Sequence, residues 1–349
     1  MIHKKCLKKD MFLWSLAILG AAMLTLLSPA SGRTQEALSK DDPSPPAKTV
    51  KLIFIHHSCG QNWLDDANGR LGLALRRNNY FVSDTNYGWG PPDQDVGEGS
   101  IGDHTDIGHW YNWFVGPHRL EYLNALYAET GQYSSYSRLS KIPPGKNKII
   151  LFKSCFPNSN LGGNPKDAPT KGKNPLRGQD CGSSHMTVAN AKGIYKDLLK
   201  YFATRQDKLF VVITAPPLTT DSTTPSQAAN ARAFNRWLVE EWLKKYRHKN
   251  VAVFDFFNVL TSNGGSADYN DSKSAKGNHH RWWQGACQYL QTVKKNTAAY
   301  PSCEGDSHPS IAGNRKATTE FVKMLNVYYH RWQDSLTASR LTEIPAASQ

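Results

Sequence analysis

The sequence predicts an α/β protein: a three-layer α/β/α arrangement around a parallel five-stranded sheet, with long loop insertions. Two observations predict it. Five short runs, residues 50–55, 80–82, 148–152, 209–214 and 251–255, are apolar or β-rich with little alternation. Between and after them lie stretches with apolar residues at helical spacing, at 63–78, 185–202, 227–246 and 312–332. Strands apolar on both faces and alternating with helices belong to a parallel sheet covered on both sides.

Taken in order, the first strand, Val50-Lys51-Leu52-Ile53-Phe54-Ile55, stops abruptly at His56-His57-Ser58-Cys59-Gly60. Leu64, Leu71 and Leu75 then recur at helical spacing. Tyr80-Phe81-Val82 leads into Asn86-Tyr87-Gly88, and residues 148–152 end at Lys153-Ser154-Cys155-Phe156-Pro157. The fourth strand is broken by Pro216-Pro217, and the helix after it carries Phe234, Trp237, Leu238 and Leu243 on or near one face. Ligands of open parallel sheets bind outside the carboxyl ends of the strands. That rule puts His57 and Ser58, residues 86–88 and residues 154–160 on one rim. Two stretches do not fit the alternation, the Gly- and Trp-rich residues 88–145 and residues 262–304 with His279-His280 and Trp282-Trp283. Long aromatic insertions of this kind are read either as binding loops or as loops packed down by their own tryptophans.

The N-terminus has the anatomy of an export signal: Lys4, Lys5, Lys8 and Lys9, an apolar run over 11–27, then Ser28-Pro29-Ala30-Ser31-Gly32. The alternative is an uncleaved membrane anchor, since the run approaches spanning length. Residues 33–48 are polar and Pro-rich and read as a linker, residues 49–334 as one domain, and residues 335–349 as a tail. The formal charge is +13, and removing residues 1–32, with four Lys and one Asp, leaves +10. A basic exported protein suits anionic glycans, phosphate-bearing polymers or membrane surfaces. No basic block interleaved with aromatics marks a nucleic-acid partner. Beyond Cys6 there are five cysteines, and their spacings do not resemble a zinc site. Export makes disulfides possible, with Cys287–Cys303 the first choice and Cys155–Cys181 the second.

Two residues carry the chemistry. Ser58 ends the first strand, and a serine hydroxyl becomes a nucleophile only with a base to take its proton and donors to hold an oxyanion. Far along the chain, Pro309 holds His308 out of helical backbone at the mouth of the last helix, two residues after Asp306. A histidine fixed beside a carboxylate suits a general base.

On these blocks the chain resembles the SGNH, or GDSL-like, hydrolase superfamily over roughly residues 50–330. Ile53-Phe54-Ile55-His56-His57-Ser58 is similar to the block in which an apolar strand leads into Gly-Asp-Ser, with His56-His57 in place of Gly-Asp. Asn86-Tyr87-Gly88 is similar to the block with the oxyanion-hole glycine. Residues 150–155 stand where Gly-x-Asn-Asp normally follows a strand, and Asp306-Ser307-His308-Pro309 is similar to the closing Asp-x-x-His-Pro, with the acid one place nearer the histidine. The resemblance implies a flavodoxin-like sheet and a serine esterase or acylhydrolase that uses no cofactor and no metal. Ser58 would be the nucleophile, His308 the base and Asp306 its orienting acid. The oxyanion donors would be Ser58 and Gly88 N–H with an Asn158 or Asn160 amide. His57, Trp89, Asp103, His104, Lys153 and Trp282 are candidate substrate contacts. The substrate would be a small-molecule or polysaccharide ester, of carbohydrate or cell-envelope type. Acyl transfer, lyase chemistry on a polysaccharide, or glycan binding without catalysis are the alternatives. Cys59 is a rival nucleophile, although buried or disulfide-bound Cys is commoner. Adjacent His56 and His57 would point apart on a strand. Asp103, His104, Asp106 and His109 form a denser polar cluster, read as surface or substrate-binding rather than metal-ligating.

Overall fold

Branched and aromatic residues, interrupted only by Lys51, draw Val50–Ile55 into strand β1, buried at every position. The computed structural model describes residues 41–342 except residue 304. After β1 come helix α1 (Ser58–Leu64), helix α2 (Leu71–Arg77) and strand β2 (Tyr80–Thr85). Helices α3 (Trp110–Phe114) and α4 (Arg119–Ala128) precede β3 (Ile149–Lys153). Next are α5 (Val188–Ala203), β4 (Leu209–Ile213), α6 (Pro225–Glu240), β5 (Val251–Phe254) and the short α7 (Phe256–Val259). Two hairpins follow, β6 (Asn278–Trp283) with β7 (Ala286–Gln291) and β8 (Pro301–Cys303) with β9 (Asp306–Pro309), before α8 (Ile311–Thr342).

The five main strands form one sheet in the order β2-β1-β3-β4-β5, and every pairing is parallel. Alternate residues enter two apolar cores. Ile53, Ile55, Phe152 and Val212 face one built with side chains of α3 to α6. Leu52, Phe54, Leu151 and Val211 face the other, with side chains of α1, α2, α7 and α8. The continuous apolar runs are therefore covered on both sides.

Several boundaries differ from the sequence expectation, each for a local reason. The helix expected over 63–78 is two. Asp65 Oδ1 accepts the Ala67 and Asn68 N–H groups, and Arg70 adopts φ 62°, a turn that ends α1. Gly69 is needed there, because a Cβ would meet the Trp63 carbonyl oxygen at 2.3 Å. The two hairpins lie in the stretch read as loop, and α8 continues to Thr342 rather than ending near 332. Residues 41–48, read as linker, are tied to the domain. Asp41 pairs with Arg331 at 2.6 Å, Asn326 donates to Pro43 O, and Asn79 donates to Pro46 O. All five described cysteines are free thiols, so neither anticipated disulfide forms. Cys287 lies against Asp41 and Arg331, whereas Cys303 lies beside Ser302. The export segment falls outside the described residues, and among those described no helix is long and apolar enough to cross a membrane.

Candidate active site

The rim begins where β1 runs out. His57 is extended (φ −122°), and Ser58 is the first residue of α1. The helix then turns so tightly against the strand that a Cβ on Gly60 would sit 2.3 Å from His56 Cβ. This glycine lets the helix that carries Ser58 start directly at the strand end. His56 is buried below it, with Nε2 3.2 Å from Asp84 Oδ2 and Nδ1 2.9 Å from His57 O.

His308 arrives from the other end of the chain on β9. The β8–β9 hairpin is anchored by Ser310 N–H on Tyr300 O at 2.8 Å and by Thr219 N–H on Ser307 Oγ at 3.0 Å. Asp306 Oδ1 accepts both the His308 N–H (2.9 Å) and the Nδ1–H of its ring (2.7 Å), while Ser302 donates to Oδ2 at 2.6 Å. Two residues of separation thus suffice, because the carboxylate folds back over its own strand. Partial burial pushes the Asp306 carboxyl up, but the hydrogen bonds from Ser302 and His308 outweigh it and hold the group below the usual carboxylate range. The edge of Phe156 braces the imidazole, with ring centroids 4.8 Å apart. With Nδ1–H given to Asp306, His308 Nε2 faces Ser58 Oγ at 2.8 Å. Ser58, His308 and Asp306, spread over 250 positions, form one hydrogen-bonded chain at the carboxyl end of the sheet. An open cleft of about 490 Å³ runs alongside, lined by Asn62, Asn68, Asp268, Ser302 and His308 among others.

The remaining sequence candidates divide. Gly88, at φ 71°, keeps the left-handed backbone its residue type permits, but its N–H is donated to Asp103 Oδ1 at 2.8 Å. Asp103 also accepts the Ser100 N–H, so it ties its loop together. The Asn158 amide is buried and committed to Asp106 and Cys155 O, while its oxygen accepts Ile107 N–H. Neither Gly88 nor Asn158 is free to serve an oxyanion in this conformation. Asn160 stays exposed on the rim, its oxygen accepting from Thr223 Oγ1. Lys153 is fully buried and donates to Ser154 O, which removes it as a substrate contact. Trp89 is buried as well, donating to Glu129 and stacking on Trp113. Trp282 packs on the core beside α8. Thus tryptophans read as possible binding groups pack the insertions down. His104 bonds Glu98 O. Among the described residues no group of three or more His, Cys, Asp or Glu side chains could hold a metal ion. His57 donates from Nε2 to Gly102 O at 2.7 Å, and burial lowers its pKa.

Two residues beside Ser58 were named from sequence in other roles, Cys155 as a disulfide candidate and Tyr87 within the Asn86-Tyr87-Gly88 block, but not as site side chains. Cys155 Sγ lies 3.8 Å from Ser58 Oγ. Burial pushes the neighbouring Cys59 thiol up, whereas hydrogen bonding from Cys59, with Lys153 nearby, pulls Cys155 down. Tyr87 stacks on the His57 ring at 3.9 Å, with its hydroxyl beside Ser58. The available signal was position: both follow strands that pair directly with β1.

No protein-family model and no curated protein matches the chain. One crystal structure is similar at 14% identity with a TM-score of 0.32, covering 83% of this chain and 97% of that one. A likeness this distant carries no argument about function.

Proposed function

We propose that the protein is an exported serine esterase or acylhydrolase of the SGNH type. The observation that carries this reading is the Ser58–His308–Asp306 chain, with contacts of 2.8 and 2.7 Å at the open end of the sheet. Ser58 Oγ attacks the acyl carbon while His308 Nε2 takes its proton. Asp306 fixes the ring's tautomer and offsets the imidazolium charge. His308 then returns the proton to the leaving alcohol, and water releases the acyl group by the same steps in reverse order. The Ser58 N–H is the backbone donor nearest the developing oxyanion. The polar lining of the adjoining cleft suits a hydroxyl-rich alcohol such as a sugar better than a lipid tail. The Lys-rich, apolar, small-residue N-terminus supports export.

The test uses the full chain with 4-nitrophenyl acetate and a fluorophosphonate label. Wild type should turn over the ester and carry the label on Ser58, and Ser58→Ala should do neither. Turnover unchanged in Ser58→Ala would sink the reading. Capture of the acyl group by an added sugar would make the enzyme a transferase with the same acyl-enzyme.

A further inference from the structure

We propose that the Tyr87 phenol is a catalytic hydrogen-bond donor to the oxyanion formed on Ser58, in place of the Gly88 N–H and the Asn158 amide. This rests on the serine-esterase reading above. The geometry leaves a gap that needs filling. A tetrahedral intermediate requires fixed donors where its negative charge develops. At this rim the Gly88 N–H is held by Asp103 at 2.8 Å, and the Asn158 amide is held by Asp106 and Cys155 O. Cys155 Sγ, 3.8 Å from Ser58 Oγ, is at the long limit of a sulfur contact.

Tyr87 stacks on His57, the residue before Ser58, and it is held in place from three sides. Its own N–H is donated to Asn86 Oδ1 at 3.0 Å, while the Asn86 amide is tied to Gln61 at 3.0 Å. The next residue, Gly88, is pinned on Asp103. Its ring lies on the His57 imidazole, 3.9 Å between centroids and 26° from parallel. His57 cannot swing, because its Nε2–H is bonded to Gly102 O at 2.7 Å. Gly102 in turn has no room for a side chain, since a Cβ there would meet Asn86 O and Trp89 O at 2.6 Å. The phenol is nonetheless open to the solvent side, Tyr87 being 58% exposed, so an incoming ester can reach it. The ring it stacks on belongs to the residue that precedes Ser58, so the phenol hydroxyl lies beside Ser58, whose N–H and Oγ interact with it. Burial and the nearby Cys155 push the phenol's pKa up, so it keeps the proton it must share throughout the neutral range. A donor fixed before the substrate arrives needs no reorganisation as the charge develops.

Tyr87→Phe keeps the ring and its stacking on His57 and removes only the hydroxyl. With 4-nitrophenyl acetate, kcat should fall by about 10²- to 10³-fold, the loss for one oxyanion donor, with KM within about twofold. Phosphonylation of Ser58 by the fluorophosphonate should slow by a similar factor, because the phosphoryl oxygen uses the same donors. The thermal midpoint and the pH profile should stay where they are. Tyr87→Leu, which also removes the stacking, should lose at least as much. Phe kcat and labelling rates within twofold of wild type would overturn the proposal, as would a raised KM at unchanged kcat. Either result leaves the esterase reading standing as long as Ser58→Ala is inactive. A wild type with neither turnover nor labelling at Ser58 would remove both.

Discussion

Two histidine–carboxylate pairs in this molecule are nearly the same bond in different places. Under α8, His279 Nδ1 meets Glu320 Oε1 at 2.6 Å; on the rim, His308 Nδ1 meets Asp306 Oδ1 at 2.7 Å. What differs is the other ring nitrogen. His279 Nε2 faces the Lys276 carbonyl, and the pair is sealed, with side chains 0% and 1% exposed. His308 Nε2 faces a hydroxyl, and its pair is 25% and 38% exposed. Around the buried pair the polar groups are bonded to one another. Lys316 bonds Asp271 at 2.6 Å and two carbonyls, Arg281 bonds Ser272 O and Ser274 O, and Tyr300 donates to Asp271. The comparison teaches that a His–acid contact alone does not mark a catalytic centre. A site arises where the second nitrogen meets a group that can give up a proton, within reach of solvent.

The largest effects should separate the two regions cleanly. Ser58→Ala should lower ester turnover by at least about 10³-fold, with the stability of the fold little changed, since Ser58 is only half-buried and its Oγ meets the His308, Cys155 and Tyr87 side chains at the rim. Next is Lys316→Met in the sealed region. It leaves the buried Asp271 carboxylate without its cation, and breaking such a pair costs about 3–5 kcal/mol. Urea unfolding should show that loss, while turnover per folded molecule stays at the wild-type value. A Lys316→Met protein as stable as wild type would break the comparison, because the buried network would then contribute no more than a surface pair.

The sheet was legible because its signal is local: each strand is a short apolar run, and burial on both faces follows from the missing alternation. Ser58 and His308 were legible because each sits at a break, one at a strand end and the other before a proline. The sealed network was not legible. Asp271, Lys316 and Glu320 look like surface charges in sequence, and only the β6–β7 hairpin packing on α8 brings them inside. Two of the expected oxyanion donors, Gly88 and Asn158, are engaged elsewhere for a similar reason. Whether a Gly88 N–H or an Asn158 amide is free depends on Asp103 and Asp106, whose loops the spacing of residues does not place. Lys153 and Trp89 were read as candidate substrate contacts, yet both side chains are buried.

A third effect reads the sealed region through pH. His280 Nδ1 accepts the Asp255 N–H at 2.9 Å, and the ring is wholly buried, so burial lowers its pKa to about 4. The unfolded chain titrates at the ordinary value of about 6.5. Between these values the unfolded state takes up a proton that the folded state refuses, so stability is full above pH 6.5 and declines as pH falls toward 4. The loss from this residue is about 3 kcal/mol at most, from the size of the shift. His109, also lowered to about 4 by burial, adds to the same slope. His280→Asn, whose Oδ1 can accept the Asp255 N–H, should flatten the dependence of urea midpoint on pH. A slope as steep as wild type would show that His280 is not the group responsible.

The smallest effect is the most diagnostic, because it asks what the rim pair's acid does. Asp306→Asn is nearly isosteric and can present either face to the imidazole. If its oxygen accepts Nδ1–H, the productive tautomer survives and only the charge is lost. If its amide points at Nδ1 instead, the proton moves to Nε2 and Ser58 loses its base. Ser302 Oγ, which donates to Asp306 Oδ2 at 2.6 Å, can also accept, and therefore favours the orientation that keeps the tautomer. The charge itself is partly screened, since the carboxylate is 38% exposed. Asp306→Asn should therefore lower kcat by about 10- to 100-fold, well short of the roughly 10⁴-fold loss seen when a buried orienting acid is neutralised. Ser302→Ala in the same background should deepen the loss by releasing the amide to turn. An Asp306→Asn enzyme with wild-type kcat would mean that Ser58 and His308 act as a dyad, and that the rim carboxylate only closes its hairpin.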